Sequence, residues 1–330
     1  MDHVIVFVSV VMAAGPMLAM LFFIWWVDRY DREPLRFVFI AFLWGGIGAI
    51  VLSLLLSQWG IKVWGSAIYN YSFDASSVVV APVVEELMKG LIVFILLKSR
   101  NFDTVTDGLV YGAATGLGFG MTENFLYFTG FSTIMYGDEW LNLLFVRSMM
   151  TANMHCAASA TFGAGISKLK EHGARAILYV VGAYIIAVLI HGTWNYLVTS
   201  GSVEHWDLAV SLLFICIVII FIIFVFGIRG ERKQREKVLD EEFDLGVLPP
   251  AYKSILMSYN KMRKSGWFPR FLNKTRYLEL TSRLALRKGL YYRAEGKRKE
   301  ALQKEVVEIR KELRKFSELI DASKTKVSDV

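Results

Sequence analysis

Long apolar segments separated by short polar ones fill the first two thirds of the chain. Seven of these segments have about 20 residues, the length that a helix needs to cross ~30 Å of hydrocarbon. They lie near residues 4–27, 37–57, 77–97, 105–129, 141–165, 175–198 and 207–228. The pattern predicts an all-α polytopic membrane protein, with about seven transmembrane helices forming a domain over residues 1–228.

The pattern changes after residue 228, where Lys, Arg and Glu become frequent. Further on, apolar residues recur at alternating steps of four and three, which is typical of a helix that packs along a heptad seam. The seam consists of Leu302, Val306, Ile309, Leu313, Phe316 and Ile320. Its partner is predicted to be an upstream helix carrying Tyr277, Leu280, Leu284 and Tyr291, or a second copy of the chain. Residues 229–330 are therefore predicted to form a basic helical tail, as a hairpin or as a self-associating coiled coil.

Basic residues near the ends of the apolar segments predict the orientation in the membrane. Loops on one side contain eight Lys or Arg residues, whereas the alternate loops contain Lys62 alone. The eight are Arg29, Arg32, Arg36, Lys98, Arg100, Lys168, Lys170 and Arg175. Because cytoplasmic loops carry the excess of basic residues, we expect the N-terminus outside and the tail in the cytoplasm.

Charge and cysteine content narrow the classes of partner. The net charge of +7 is explained by basic loops facing the lipid bilayer, so no nucleic-acid partner is predicted. The two cysteines, Cys156 and Cys216, both lie in apolar segments. They indicate no disulfide framework and no zinc-ribbon spacing.

Polar and ionisable residues interrupt four of the apolar segments. A charge at the centre of a spanning helix costs about 2.5–3.5 kcal/mol, so charged residues are found there mainly where they form an ion pair or have a function. The residues concerned are Glu85, Glu86, Glu123, His155, His191 and Asn195. Their recurrence predicts a catalytic site inside the membrane, with Lys89 or Arg147 neutralising one of the carboxylates.

The residue types indicate acid–base chemistry. We expect Glu85 to be the leading general base, and Glu86 and Glu123 to tune or supplement it. His155 would orient a water molecule or bind a metal. His191 and Asn195 are four residues apart and share one helix face, so the pair could stabilise an oxyanion. Arg147 is interpreted as the structural partner of an acid.

The same groups could hold a divalent metal. Carboxylates and imidazoles are ligands of zinc, and no HExxH motif is present to favour the usual zinc-protease arrangement. The candidate metal ligands are Glu85, Glu123, His155 and His191. The cofactor is therefore a divalent ion such as zinc, or none.

Four sequence elements, in order, resemble the motifs of the PrsW family of intramembrane proteases. Residues 85–89 (EELMK) resemble the EExxK motif, and residues 119–123 (FGMTE) resemble the FxxxE element. His155 is similar to a lone intramembrane histidine, and residues 191–195 (HGTWN) resemble an HxxxN element. The family belongs to a wider group of CAAX-type prenyl endopeptidases and bacteriocin-immunity proteins. Those carry an Arg near the place of Lys89 and a His in place of Glu123, which favours the PrsW branch.

The resemblance implies an intramembrane endopeptidase of a bacterial cell membrane. Its substrate would be a single-span membrane protein, an anti-sigma factor whose cleavage starts a stress response. Two other interpretations are a proton-coupled transporter, because intramembrane Glu, Lys and His also form proton relays, and a non-catalytic immunity or sensor protein on the same fold.

Overall fold

The computed structural model describes residues 3–27, 33–58, 76–99, 102–135, 137–200, 202–258, 261–262, 264, 266–294 and 296–328. Over these residues the protein is helical and has no strand, which confirms the all-α prediction. The chain divides into two compact units, Met1–Phe226 and Gly227–Val330.

The first unit is built from long helices joined by short turns. The helices are α1 His3–Val27, α2 Leu35–Gln58, α3 Ala81–Leu96, α4 Val105–Phe131, α5 Asp138–Val146, α6 Ala152–His172, α7 Ile177–Thr199 and the beginning of α8 Val203–Asp244. A 3₁₀ turn, Gly173–Ala176, leads into α7. Wider π-helical turns occur at Trp44–Ala49 within α2, at Ser76–Val80 before α3 and at Arg147–Thr151 between α5 and α6.

Among the described residues, four helical stretches are long and apolar enough to cross a membrane. They are His3–Val27, Leu35–Gln58, Gly173–Thr199 and Val203–Asp244. The helices that carry Glu85, Glu123 and His155 are not among them. Helix α3, for example, contains three charged residues. The chain thus has the helices of a membrane protein, while the count of seven spans and the orientation stay predictions. Of the residues that predict the orientation, Arg29, Arg32, Lys62 and Arg100 lie outside the described residues.

Helix α4 occupies the centre of the first unit. It begins with a capping box, in which Thr104 Oγ1 accepts from the Asp107 amide and Asp107 Oδ2 accepts from the Thr104 amide. Every residue from Thr106 to Gly120 is buried. The helix packs against α1, α2, α3 and α6. A helix that is covered on all sides needs small residues where its neighbours approach.

Glycines set the distance between α4 and α6. A Cβ atom on Gly112 would lie 2.2 Å from the carbonyl oxygen of Ser159, and one on Gly116 would lie 2.2 Å from that of His155. Such distances are far below van der Waals contact, so only glycine allows the two backbones to touch here. This contact brings the polar residues of α4 beside those of α6.

The second unit contains a helical hairpin. Helices α10 (Lys274–Arg293) and α11 (Gly296–Ser328) pack against each other, and a 3₁₀ turn at Pro250–Tyr252 and the short α9 (Lys253–Leu256) precede them. The shared core contains Leu280, Leu284, Val306, Ile309, Leu313 and Ile320, with Phe316 packed against it. Leu302 packs in a second cluster with Leu290 and Ala294. The predicted seam residues therefore face the partner helix of the same chain, and self-association stays a prediction.

A buried ion cluster joins the helices of this second unit. Glu242, in the C-terminal part of α8, is fully buried. Its Oε1 accepts hydrogen bonds from Lys288 Nζ at 2.6 Å and from Arg310 Nη2 at 2.6 Å. Its Oε2 accepts from Arg310 Nε at 2.8 Å. Both oxygens of this carboxylate are thus bonded to cations.

Candidate active site

Glu86 lies at the centre of a buried polar network in the first unit. Its Oε1 accepts a hydrogen bond from Lys89 Nζ at 2.7 Å and lies 2.9 Å from His191 Nδ1. Its Oε2 accepts from Ser159 Oγ at 2.9 Å. The side chain is fully buried, so these three partners replace water completely. Glu86 is therefore the carboxylate that Lys89 neutralises.

Lys89 links this carboxylate to α6. Its Nζ lies 3.0 Å from His155 Nδ1 and 4.0 Å from the centre of the Phe119 ring. An ammonium group only donates, so His155 Nδ1 accepts through its lone pair. The spacing of Glu86 and Lys89, three residues apart on α3, allows one turn of helix to hold both charges.

His155 is bonded through both ring nitrogens. Its Nε2 lies 2.8 Å from Glu123 Oε2. A carboxylate only accepts, so Nε2 carries the hydrogen and the ring is a neutral imidazole of one defined tautomer. Glu123 Oε2 also accepts from Arg147 Nη2 at 2.7 Å. Glu123, His155 and Lys89 thus form a continuous hydrogen-bonded path between α4, α6 and α3.

Glu85 differs from the other carboxylates of the network. Its Oε2 is buried and has no hydrogen-bond partner among the described residues. The same atom lies 3.8 Å from Lys89 Nζ and 3.8 Å from His191 Nε2, beyond hydrogen-bond distance. The Glu85 side chain is 15% exposed, whereas those of Glu86 and Lys89 are 0% exposed. Glu85 therefore has a buried carboxylate oxygen that makes no hydrogen bond to the described residues, on a side chain that is partly exposed.

His191 faces both glutamates of α3. Its Nδ1 contacts Glu86, a group that only accepts, so Nδ1 carries a hydrogen and Nε2 is directed toward Glu85. Its ring packs edge-on against that of His155, with centroids 4.8 Å apart. Asn195, one turn further along α7, instead donates from Nδ2 to the Ser77 carbonyl at 2.8 Å.

The structure brings five of the six predicted site residues into one network. These are Glu85, Glu86, Glu123, His155 and His191. Asn195 ties α7 to the π turn before α3, and its expected role at an oxyanion stays a prediction. The convergence is what an intramembrane site requires, because the alternative is several polar groups facing lipid.

Sequence reasoning left two members out of the predicted set. Lys89 was recognised within a motif but was not counted among the site residues, although it bonds to both Glu86 and His155. Ser159 gave no signal, because a single serine in a helix rich in Ala and Gly usually bonds to its own backbone. Its contact with Glu86 is visible only in three dimensions.

All three π turns border the network. In the first, Trp44 Nε1 donates to the Met88 carbonyl of α3 at 3.0 Å. In the second, Ser77 accepts from Asn195. The third begins with Arg147, which bonds to Glu123. Local π-helical turns occur frequently at functional sites, and here each of them supplies a contact to a helix that carries polar residues of the network.

Three of the residues could hold a metal ion. Glu85, His155 and His191 each offer one ligand atom, and these atoms lie within 4.8 Å of one another. One carboxylate and two imidazoles are a donor set of catalytic zinc. The unpartnered Glu85 Oε2 makes the set suitable, while His155 would exchange one of its two hydrogen bonds for the ion. Glu123, also a predicted ligand, is instead engaged by Arg147 and His155.

Comparison with known proteins identifies the family. A model described as the PrsW family intramembrane metalloprotease matches residues 33–227. The chain belongs to the PrsW family. It is 30% identical over 217 residues to Protease PrsW of Clostridioides difficile strain 630, across 64% of this chain and 85% of that protein. It is 26% identical over 231 residues to Protease PrsW of Bacillus subtilis strain 168, across 68% of this chain and 95% of that protein.

The family match covers the site and not the tail. Every member of the polar network lies between residues 85 and 191, inside the matched range of 33–227. No solved structure matches the chain. The placement in the wider CAAX protease and immunity group stays a prediction.

Proposed function

We propose that the protein is an intramembrane endopeptidase in which Glu85 is the general base. The observation that carries this assignment is the buried Oε2 of Glu85, which has no hydrogen-bond partner in the part of the chain that the structure describes. Glu86, its neighbour in the chain, has both oxygens bonded. A base must have a free acceptor within reach of the proton it takes, and Glu85 meets this requirement where Glu86 does not.

The proposed reaction is hydrolysis of a peptide bond. Glu85 accepts a proton from a water molecule, whose oxygen attacks the scissile carbonyl carbon. The tetrahedral intermediate then collapses, the C–N bond breaks, and Glu85 returns the proton to the leaving nitrogen. A general base of this kind contributes about 10²- to 10⁴-fold to the rate.

The remaining charges hold Glu85 and its surroundings in place. Lys89 neutralises Glu86, and Ser159 fixes the second oxygen of Glu86, so that the anionic side chain does not turn toward the reacting carbonyl. His191 is held by Glu86 with its Nε2 toward Glu85. Because the hydrogen of the neutral ring is on Nδ1, donation from Nε2 to an oxyanion would require the imidazolium form. Pre-arranged groups of this kind need no reorganisation when the reaction begins.

A metal ion would change the role of Glu85. Held by Glu85, His155 and His191, a divalent ion would polarise the scissile carbonyl and make water a stronger nucleophile. Glu85 would then be a ligand and not the base. The two roles predict different metal contents for the Glu85→Gln variant, because removal of a ligand weakens metal binding and removal of a free base does not.

The proposed substrate is a single-span membrane protein, and more specifically an anti-sigma factor that is cut in a stress response. Support comes from the membrane-type helices of the chain and from the match of the region that contains the site to the PrsW family. The proposal includes a multi-pass location in a bacterial cell membrane, with the N-terminus outside and the tail in the cytoplasm.

The test is a cleavage assay in proteoliposomes with a labelled single-span anti-sigma factor. Glu85→Gln should reduce the rate by about 10²-fold or more and leave folding intact, because Gln keeps the size of the side chain. Glu139→Gln is the matched control, since Glu139 is an exposed acid of α5. Metal content of the wild type and both variants is measured in the same preparations. Undiminished cleavage by Glu85→Gln would refute the assignment, and no cleavage by the wild type would refute this substrate.

A further inference from the structure

A groove in the second unit lies between α8 and α10 and is bordered by two lysines. Its volume is about 370 Å³, within the range of about 300–1,000 Å³ found for small-molecule sites. Lys233 and Lys237 line it from α8, and Tyr292 lines it from α10. Because the lysines are four residues apart, they project from one face of α8, with about 5–6 Å between their Cβ atoms. The groove therefore presents two like charges to one space.

The carboxylates nearest to these lysines bind other cations. Both lysines are exposed, and neither forms an ion pair or a hydrogen bond with a described residue. Glu236 accepts from Arg232 Nε at 2.8 Å. Glu241, one turn after Lys237, lies 2.7 Å from Lys288 Nζ. Two like charges one turn apart destabilise a helix slightly, so an anion bound between the two ammonium groups would be stabilising.

Two glycines shape the groove. A Cβ atom on Gly289 would lie 1.5 Å from Gln234 Nε2, so only glycine allows α10 to approach α8 at this point. Gly230 precedes Lys233 by three residues, and a Cβ atom there would meet no atom within 4 Å. The groove is thus closed by a tight helix contact at one glycine and open at the other.

The position of the lysines along α8 indicates which kind of anion they meet. The apolar segment of α8 is one of those that could cross a membrane; it ends at Ile228, and the helix continues to Asp244. At about 1.5 Å per residue, Lys233 lies about 8 Å and Lys237 about 14 Å beyond this segment. The headgroup region is about 5–8 Å thick on each side of the hydrocarbon. Because Cα–Cβ bonds tilt toward the N-terminus of a helix, both long side chains extend back toward the headgroups.

We propose that this groove binds the phosphate group of an anionic membrane phospholipid between Lys233 and Lys237. Each ammonium group has three hydrogens to donate, and lysine binds phosphate as a point charge. Tyr292 borders the groove with an exposed side chain, and tyrosine is enriched at the membrane–water interface. Anionic lipids are abundant in the cytoplasmic leaflet, which is the side proposed above for the tail. The bound lipid would hold this part of α8 at the membrane surface.

This proposal goes beyond the proposed function, because it involves neither the active site nor the substrate. It rests only on the membrane location proposed above. A soluble phosphate compound offers the same phosphate chemistry as a lipid headgroup, so the experiment has to separate these two sources.

The first experiment measures lipid binding by the full-length protein in detergent, with native mass spectrometry as the readout. Phosphatidylglycerol, phosphatidylcholine with the same acyl chains and soluble glycerol 3-phosphate are titrated separately. The wild type should bind phosphatidylglycerol more tightly than either of the others. Lys233→Gln/Lys237→Gln should weaken that binding about 25-fold, because each lysine near an anionic lipid contributes about 5-fold.

The matched control is Lys311→Gln/Lys315→Gln. These two lysines are also exposed and four residues apart, but they lie on α11, far along the chain from the apolar segment of α8. This control removes the same charge from the second unit and should leave the binding of phosphatidylglycerol unchanged.

Gly230 allows a second test that keeps both lysines. Gly230→Glu places a carboxylate one turn before Lys233 without a steric clash, and it should weaken the binding of phosphatidylglycerol. Gly230→Gln has the same size without the charge and should change the binding little.

Four results would overturn the proposal. The first is equal binding of phosphatidylglycerol by the wild type and by Lys233→Gln/Lys237→Gln. The second is an equal loss in the Lys311→Gln/Lys315→Gln control. The third is binding of phosphatidylcholine as tight as that of phosphatidylglycerol. The fourth is binding of glycerol 3-phosphate as tight as that of the lipid, which would assign the groove to a soluble phosphate. Because the titration needs no substrate, a failure of the cleavage assay would count against the proposed function and not against this site.

Discussion

Two clusters of buried charge among the described residues are completed to different degrees. In the second unit, both oxygens of Glu242 are bonded to Lys288 and Arg310. In the first unit, Glu86 is satisfied in the same way, but Glu85 beside it keeps an oxygen with no hydrogen bond to any described residue. A closed cluster holds helices together. A cluster with one open position has capacity left for a substrate, a water molecule or an ion.

Removing the central cation should have the largest effect. Lys89→Met leaves Glu86 buried without its counter-charge, which costs about 3–5 kcal/mol of stability. It also removes the hydrogen-bond partner of His155 Nδ1. We expect a lower melting temperature of the protein in detergent and loss of cleavage.

The double variant Lys89→Met/Glu86→Gln refines this prediction. Removal of both charges should recover most of the stability, because no unpaired charge is left, and cleavage should stay lost. If the double variant also recovers cleavage, the pair is not needed for the reaction and the contrast between the two clusters fails.

The corresponding change in the second unit should affect the fold alone. Glu242→Gln removes the acceptor charge shared by Lys288 and Arg310, and we expect a loss of about 3 kcal/mol. The loss should appear as faster native-state proteolysis of the tail in the full-length protein. Arg276→Met, at an exposed ion pair with Glu312, should change proteolysis little. Reduced cleavage of a substrate by Glu242→Gln would show that the clusters do not act separately.

A substitution of Ser159 tests a residue of the first cluster that already has its hydrogen-bond partner. Ser159→Ala removes the hydrogen bond to Glu86 Oε2 and should cost about 1.5–3 kcal/mol, as for bonds to charged groups. We expect a moderate fall in melting temperature and a smaller fall in cleavage than for Lys89→Met. A cleavage rate as low as that of Glu85→Gln would mean that the serine itself takes part in the reaction.

Alkaline pH should weaken the second cluster, with the smallest effect of the changes considered. Burial opposes the charge of Lys288, but hydrogen bonds to Glu241 and Glu242 raise its pKa above the ordinary value. A raised folded-state pKa gives stability that is complete below the ordinary lysine value of about 10.4 and is lost as pH rises through the folded value. Tail proteolysis should therefore stay constant from neutral pH to about pH 10 and accelerate above it. In Glu242→Gln the acceleration should begin at lower pH.

The helical architecture and most residues of the candidate site could be predicted from the sequence, because both depend on local spacing. The apolar segments matched helices, and the step of four and three in the tail marked residues that pack between α10 and α11. The spacing of Glu85 and Lys89, four residues apart, predicts that these two side chains share one helix face. These features need no knowledge of the partner helix.

Contacts between distant segments were not predictable in this way. The bond between Ser159 and Glu86 joins residues 73 positions apart. Asn195 was expected to act with His191, but its amide bonds to Ser77, 118 positions away. The π turn at Arg147 changes the direction of the side chains that follow it. The spacing of apolar residues in the sequence does not predict such a turn. The difference between the open Glu85 and the closed Glu86 arises only from these contacts.

The direct contact between α4 and α6 has a consequence for mutational tolerance. Gly116 touches the carbonyl of His155, so the position of that histidine along the helix pair is set by backbone against backbone. A methyl group on Gly116 would push α6 away from α4 and carry His155 off both Glu123 and Lys89. A residue with no side chain, and no part in the proposed chemistry, therefore sets the alignment of the candidate catalytic groups, and Gly116→Ala should strongly reduce cleavage in the proteoliposome assay.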